Sequence, residues 1–294
     1  MKIIAECAKC IVSRATSELL EATSNPALRF RAMIEIFRLL SKEFKPTAVP
    51  AVLGTKRDRL IKWITDNDDP YKRIKQKSNR KALELLPFAR EIVDSGYTQE
   101  ERFKKACLCA IVGNIMEFDI PDHNFTFGSL KRLFREAEKD LVIDDINKIF
   151  RIAVKSKNTL FLADNAGEIV FDTLLVEQLK NMGLTVIAGV KEAPIINDAT
   201  MIDAKTSGMD KIADKVVTTG TDAVGFAPKE VSKEFMKIYK SADIIFAKGM
   251  GYAETLTEHK LSKPHALLFR TKCNCVANYF RVPKGKNVAK LMPG

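Results

Sequence analysis

From residue 158 onward the chain alternates two kinds of apolar pattern, and this alternation restricts the fold more than any other feature of the sequence. Five short runs rich in Ile, Val, Leu and Phe (159–163, 184–190, 215–219, 243–247 and 266–269) are bounded chiefly by Gly, Asp, Asn or Lys. Stretches of helical periodicity, including 168–181 and 229–240, lie between them. Strand–helix alternation of this kind predicts a mostly parallel sheet with helices on both faces, a three-layer α/β/α domain. The preceding residues follow a different rule. In 27–40, Phe30, Ile34, Phe37 and Leu40 recur about one turn apart, as in one stripe of a helix. Segments 80–95, 100–117 and 128–139 read the same way, with a loop at 122–126 and a break at Pro46 and Pro50. The expected architecture is a helical region over 1–154 followed by an α/β/α domain over 155–294. Neither an internal repeat nor a low-complexity segment interrupts it.

Composition excludes several classes of protein. At 294 residues, 46% hydrophobic and 29% charged, with 14 glycines and 11 prolines, the chain is neither disordered nor fibrous. The longest charge-free stretch, 106–116, is far shorter than the roughly 18–20 apolar residues of a membrane span. Glu6 and Lys9 interrupt any secretion-signal core, so a soluble, cytoplasmic protein is expected. Six cysteines fall in three close pairs, Cys7/Cys10, Cys107/Cys109 and Cys273/Cys275. In a chain this long and cysteine-poor they read as reduced thiols, and the single CxxC lacks the second pair that a structural zinc site normally needs.

The net charge of +11 is spread evenly along the chain. One exception is the run 72–81, which carries six cations and no acid. Such a run can grip nucleic-acid phosphates, form a solvated helix face, or draw small anions toward a cleft. No aromatic residue interrupts it to stack on bases, which argues against nucleic acid.

A parallel sheet binds its ligands beyond the carboxyl ends of its strands, so those tips are where chemistry is expected. The first strand ends in Asp164-Asn165-Ala166-Gly167-Glu168, and the second leads to Asn197-Asp198-Ala199-Thr200. The third leads to Gly220-Thr221-Asp222, the fourth to Lys248-Gly249-Met250-Gly251-Tyr252-Ala253-Glu254, and the fifth to Arg270-Thr271-Lys272-Cys273. Asp164, Asn165 and Asp198 are hard oxygen ligands suited to a divalent cation such as Mg²⁺ or Mn²⁺. Gly249 and Gly251 expose backbone N–H groups to a phosphate, and Lys248 and Lys272 offer charge to neutralise it. Taken singly, Asp164, Asn165 and Asp198 read as helix caps. Polar tips after all five strands, three of them with glycine, shift the reading toward metal-assisted phosphoryl transfer. Walker, dinucleotide-fingerprint and GxSxG motifs are absent from the sequence.

Together these motifs resemble the metal-dependent damage-control phosphatases. The family's metal-binding Asp-Asn pair is similar to Asp164-Asn165 and its later metal-binding Asp to Asp198. Its Lys-Gly-x-Gly-x-x-Glu loop is similar to 248–254. Gly113-Asn114-Ile115-Met116-Glu117 resembles a Gly-Asn-x-x-Asp segment, and Asp69-Pro70-Tyr71 with Lys75 and Asn79 is another similar stretch. Cys7/Cys10 matches the branch with an amino-terminal CxxC. In Arg270-Thr271-Lys272-Cys273 the lysine falls one position earlier than in the Arg-Thr-x-Lys of another branch.

The resemblance implies a phosphatase acting on small phosphorylated metabolites such as sugar phosphates or phosphopantetheine compounds, with Mn²⁺, Mg²⁺, Ni²⁺ or Co²⁺ as cofactor. Asp164, Asn165 and Asp198 would hold the metal, and Lys248, Gly249, Gly251, Glu254, Lys272 and Asn114 would contact the substrate. Water is the expected nucleophile, with direct attack by Asp164 its rival. Two other readings stand beside it: a carboxyl methyltransferase, which expects more glycine after the first strand than Gly167 alone, and a non-catalytic binder of metal or nucleic acid. The oligomeric state has no signature in the sequence.

Overall fold

The structure is a computed structural model that describes residues 1–114 and 127–294, without the side chains of 127–130. It opens with five helices, α1 (Cys7–Ala22), α2 (Pro26–Glu43), α3 (Pro50–Thr65), α4 (Lys72–Asp94) and α5 (Gln99–Gly113). There follow α6 (Phe127–Glu136), β1 (Leu141–Asp144), α7 (Ile146–Ala153), β2 (Asn158–Leu162), α8 (Glu168–Asn181) and β3 (Thr185–Val190). Next come α9 (Met201–Ser207), α10 (Met209–Ile212), β4 (Lys215–Thr218), α11 (Lys233–Ser241) and β5 (Ile244–Lys248). The last elements are α12 (Gly249–Leu256), β6 (His265–Arg270), α13 (Asn274–Phe280) and β7 (Asn287–Met292).

Local chemistry sets many of these boundaries. Asn25 caps α2 by accepting from the Ala27 and Leu28 amides, with Pro26 in the first turn. Thr98 and Glu101 form a capping box on α5, and Thr200 and Asp203 form one on α9. Ser232 caps α11, so that helix starts later than its apolar periodicity suggests. The basic run 72–81 is the opening of α4, but it is not a uniformly solvated face. Lys75, Ser78 and Asn79 are buried while Lys72, Arg73, Lys77 and Arg80 are exposed.

The seven strands among the described residues form one sheet in the order β1-β7-β6-β5-β2-β3-β4. Every pairing is parallel except β6 with β7. The five strands expected from the sequence are β2 to β6; the structure adds β1 and β7 at one edge. Side chains alternate across the central strands as the pleat requires. Phe161, Ala188, Phe246 and Leu268 pack on one face with α4, α5, α7 and α8. Leu160, Leu162, Ile245, Ala247 and Phe269 pack on the other with α11, α12 and α13. Both faces are thus covered, giving three layers. α8 is buried along nearly its whole length because α4 and α5 cover the side turned away from the sheet.

A third, smaller core joins α1, α2 and α3 through Ala15, Leu19, Ala32, Ile36, Ile61 and Ile64. Here α2 departs from its stripe: Ala32 and Ile36 face inward, whereas Phe30 is 71% exposed and Phe37 53%. α3 docks onto the sheet's carboxyl edge through ion pairs. Asp222, in the loop after β4, accepts from Arg59 Nε (2.9 Å) and Lys62 Nζ (2.9 Å). Segment 115–126, which holds the end of the expected 100–117 helix and the 122–126 loop, lies outside the described residues.

Candidate active site

After β2 the chain order runs outward through β3 and β4, then returns to the other side of β2 as β5 and β6. The order therefore reverses between β2 and β5, and an open α/β sheet has its crevice at such a reversal. Asp164 at the tip of β2 and Gly249 at the tip of β5 flank it. Gly249 adopts φ +79°, and a Cβ built there would lie 1.7 Å from Asp164 Oδ2. Only glycine allows this backbone and this carboxylate to share the space.

Backbone bonds bring Asp198 to the same point. Ala199 N donates to Asp164 O at 2.7 Å, Ala166 N donates to Asn197 O at 2.9 Å, and Asn165 pairs with Asp198 as an isolated antiparallel bridge. Asp164, Asn165 and Asp198, far apart in sequence, are therefore neighbours by main-chain geometry. All three are buried, Asp198 being only 3% exposed.

Around them lies a network that motif reading largely missed. Asn114, at the end of α5, donates through Nδ2 to Asp164 Oδ2 (2.9 Å) and Glu168 Oε2 (2.6 Å). Asn165 Nδ2 reaches the same two oxygens at 2.8 and 2.9 Å. Glu168 in turn pairs with Lys248, whose ammonium also lies 2.8 Å from Asp172 Oδ1 and donates to Ala110 O at 2.8 Å. Lys248, fully buried, thus points back into the core beneath the cluster. Lys191 lies 3.8 Å from Asp198 Oδ2, donates to the carbonyls of Ala223 (2.6 Å) and Gly225 (2.9 Å), and stands over the Tyr252 ring. A polar residue next to a strand tip is the only sequence signal that Glu168 and Lys191 carry. Asp172 and Tyr252 carry none.

The remaining candidates divide. Gly251 packs against the 224–225 turn, where a Cβ would meet Val224 Cγ1 at 2.9 Å. Lys272 follows β6 on the same edge, and its positive charge is felt at Asp164. Glu254 turns the other way: it accepts from the Ala51 amide and faces the amino terminus, and burial pushes its carboxyl up to about 7. Asn79 joins the helical region to the tip of β2, since its Oδ1 accepts from Gly167 N (2.6 Å) and its Nδ2 donates to Asp203 (2.8 Å). Lys75, paired with Asp69 at 2.8 Å, favours the ionised form of Asp198 by its positive charge, against the effect of burial.

Electrostatically the cluster is rich in negative charge. Burial, then the charges of Glu168 and Asp198, raises the Asp164 carboxyl well above its usual range, against the pull of Lys272 and Lys248. Burial likewise brings Asp198 to about 7. Lys248 stays charged because Asp172 and Glu168 outweigh its burial. Buried carboxylates in this state invite a cation. Two oxygens stand ready, since Asp198 Oδ2 and Asn114 Oδ1 are buried without a hydrogen-bond partner among the described residues.

Among the described residues no three His, Cys, Asp or Glu side chains converge on one metal-sized point. A small hard cation does not require three, since it binds through one or two carboxylates and keeps several waters. Asp164, Asp198 and the amide oxygen of Asn165 fit that demand. The shallow apolar groove on α2, lined by Pro26, Phe30, Ile34 and Arg38, contains no member of this cluster.

Comparison with known proteins agrees with the geometry. Residues 3–288 match the damage-control phosphatase ARMT1-like domain. The chain is 36% identical over 288 residues to a damage-control phosphatase of Pyrococcus horikoshii, covering 97% of this chain and 96% of that one. It is 34% identical over 293 residues to one from Archaeoglobus fulgidus, covering 99% and 100%. The crystal structure of a DUF89-family protein from Pyrococcus horikoshii superposes with a TM-score of 0.87 at 36% identity, covering 98% of both chains. The chain belongs to the damage-control phosphatase ARMT1-like family.

Proposed function

We propose that this protein is a metal-dependent phosphomonoester hydrolase acting on small phosphorylated metabolites. The observation that carries the reading is the meeting of Asp164, Asn165 and Asp198 at the β2/β5 reversal, with a carboxylate oxygen that accepts no hydrogen bond among the described residues and the Gly249 backbone against it. The names of the relatives from Pyrococcus and Archaeoglobus support the same class. A divalent cation (Mn²⁺, Mg²⁺, Ni²⁺ or Co²⁺) bound there would polarise the phosphoryl group and acidify water.

The protein's own groups do the rest. Asp164 and Asp198 would hold the cation through carboxylate oxygens, and the Asn114 and Asn165 amides fix the orientation of Asp164. α12 begins at Gly249, so its first amides face the crevice and stabilise charge building on the phosphoryl oxygens. Lys272 adds positive charge on the same edge. Lys248 acts from beneath, as the counter-charge that holds Glu168 in register with the two amides. The burial of Asp164 and Asp198 excludes bulk water and strengthens each of these interactions.

A methyltransferase reading is less well supported. The single glycine after β2, Gly167, already donates its N–H to Asn79, and a Cβ built on it would meet Ser78 Cβ at 3.0 Å. That leaves no open glycine loop to cradle a nucleotide-like cofactor.

The deciding experiment is phosphate release from an aryl phosphate by metal-stripped protein, with the four metals added back singly. Release that depends on metal and vanishes in folded Asp164→Ala is expected. Metal-independent release, or full turnover by Asp164→Ala, would overturn the assignment.

A further inference from the structure

Two of the three cysteine pairs, separated by nearly the whole chain, meet on one patch. Cys7 opens α1, and Cys275 sits in the first turn of α13. Both are buried in the same apolar cluster. The same short turn holds both thiols: Ile4 N donates to Cys7 Sγ at 3.5 Å, and Cys275 Sγ donates to Lys2 O at 3.3 Å. After burial, the neighbouring Cys7 thiol is the main influence that raises Cys275. Cys10 lies one helical turn after Cys7 and is exposed, while Cys273 is half-buried within range of both Cys7 and Cys10. By contrast Cys107 and Cys109 are sealed in the α5 core. The patch is therefore graded, with an exposed thiol outside and a buried neighbouring pair within. No three of these thiols share a point that a metal ion could occupy, whereas a disulfide needs only two.

We propose that this patch is a thiol–disulfide exchange site, in which Cys10 receives a small-molecule disulfide and Cys7 and Cys275 store the oxidising equivalent as a reversible bridge. The Cys10 thiolate attacks one sulfur of the small disulfide, forming a mixed disulfide and releasing one small thiolate. Cys7 then attacks Cys10 Sγ and expels the second small thiol, which leaves with the Cys7 proton. Cys275 attacks Cys7 Sγ, and Cys10 departs as the thiol carrying the Cys275 proton. In sum, one small disulfide is reduced to two thiols while Cys7 and Cys275 are oxidised to one cystine. Burial raises the Cys275 thiol to about 12, which makes it a slow attacking group and places entry at the exposed Cys10.

The test uses the full reduced chain, incubated with oxidised glutathione, quenched in acid, alkylated and mapped by mass spectrometry. A Cys7–Cys275 linked peptide is expected, with Cys107 and Cys109 alkylated only after unfolding. Cys10→Ser should form the same bridge about ten-fold more slowly or worse, since the direct routes begin at buried sulfur. Cys275→Ser should stop at Cys7–Cys10 or at glutathionylated Cys10. Fully alkylated Cys7 and Cys275 in oxidised wild-type protein would overturn the proposal. So would purified protein that carries one zinc or iron per chain, lost in Cys275→Ser, because the thiols would then be ligands. Mapping of the wild type needs no variant, so a failure of Cys275→Ser to fold leaves the test intact.

Discussion

Gly249 and Asp164 occupy space that no side chain at 249 can share: a Cβ there falls 1.7 Å from Asp164 Oδ2 and 2.2 Å from its Cγ. The glycine is at φ +79°, so a substitution strains the backbone as well as colliding. Gly249→Ala must displace either the Asp164 carboxylate or the first turn of α12. Misplacing a catalytic group by an ångström costs about 100-fold in rate, and at least that loss in kcat/KM on an aryl phosphate is expected. Circular dichroism should still show a folded protein. Turnover within a few-fold of wild type would show that this contact does not shape the site.

Lys248 with Glu168 and Asp172 forms a buried cluster in which two carboxylates share one ammonium. Lys248→Met leaves both carboxylates without their counter-charge. Breaking a buried ion pair in this way costs roughly 3–5 kcal/mol, so a large drop in the urea midpoint is expected. The double variant Lys248→Met, Glu168→Gln should recover part of it, because one of the stranded charges is gone. A double variant no more stable than the single one would refute the pairing.

Asn79 is the hydrogen-bonded link between α4 and the tip of β2, through Gly167 N and Asp203 Oδ1. Asn79→Ala strands a buried amide, at about 1–3 kcal/mol, and should lower both stability and turnover. Asn79→Asp keeps an acceptor for Gly167 but sets a carboxylate against Asp203, so it should not rescue. Rescue by Asp would locate the effect elsewhere.

His265 supplies a pH dependence remote from the cluster. It is fully buried on β6 and bonded to the Tyr239 hydroxyl at 2.7 Å, and burial lowers its pKa to about 4. The unfolded ring titrates near 6.5, so between pH 6.5 and 4 the unfolded chain binds a proton that the native ring refuses. Stability contributed by the neutral ring is complete above pH 6.5 and is lost as pH falls toward 4. The loss amounts to roughly 3 kcal/mol across that window. Denaturant midpoints at pH 7 and pH 4.5 should diverge less in His265→Phe than in wild type; equal slopes would refute the assignment.

Patterning made the central sheet legible because β2 to β6 are short, doubly covered and flanked by polar turns. β7 (Asn287–Met292) escaped because Lys290 interrupts its apolar run. β1 escaped because four residues, half of them exposed, carry no period. At the site, Asp164, Asn165 and Asp198 were readable as oxygen donors at strand tips. The inward course of Lys248 was not, since its partners Glu168 and Asp172 sit one turn apart on a helix buried on all sides, where charge is not expected. Glu254 carries the spacing of its loop motif yet faces the amino terminus, because helical rotation from Gly249 carries it to the opposite side of α12.

The position of β7 bears on how the molecule is assembled. β1 touches the rest of the sheet only through β7, which is inserted between it and β6. β1 is synthesised long before β7, so it must wait without a partner while the five central strands close around their own cores. The sheet is therefore built from the middle outward, and its edge closes only when residues 287–292 thread between two strands already made. Until then β6 presents an open hydrogen-bonding edge, the kind of surface that recruits strands from other chains. Nascent or truncated chains lacking that segment are accordingly the species most exposed to aggregation.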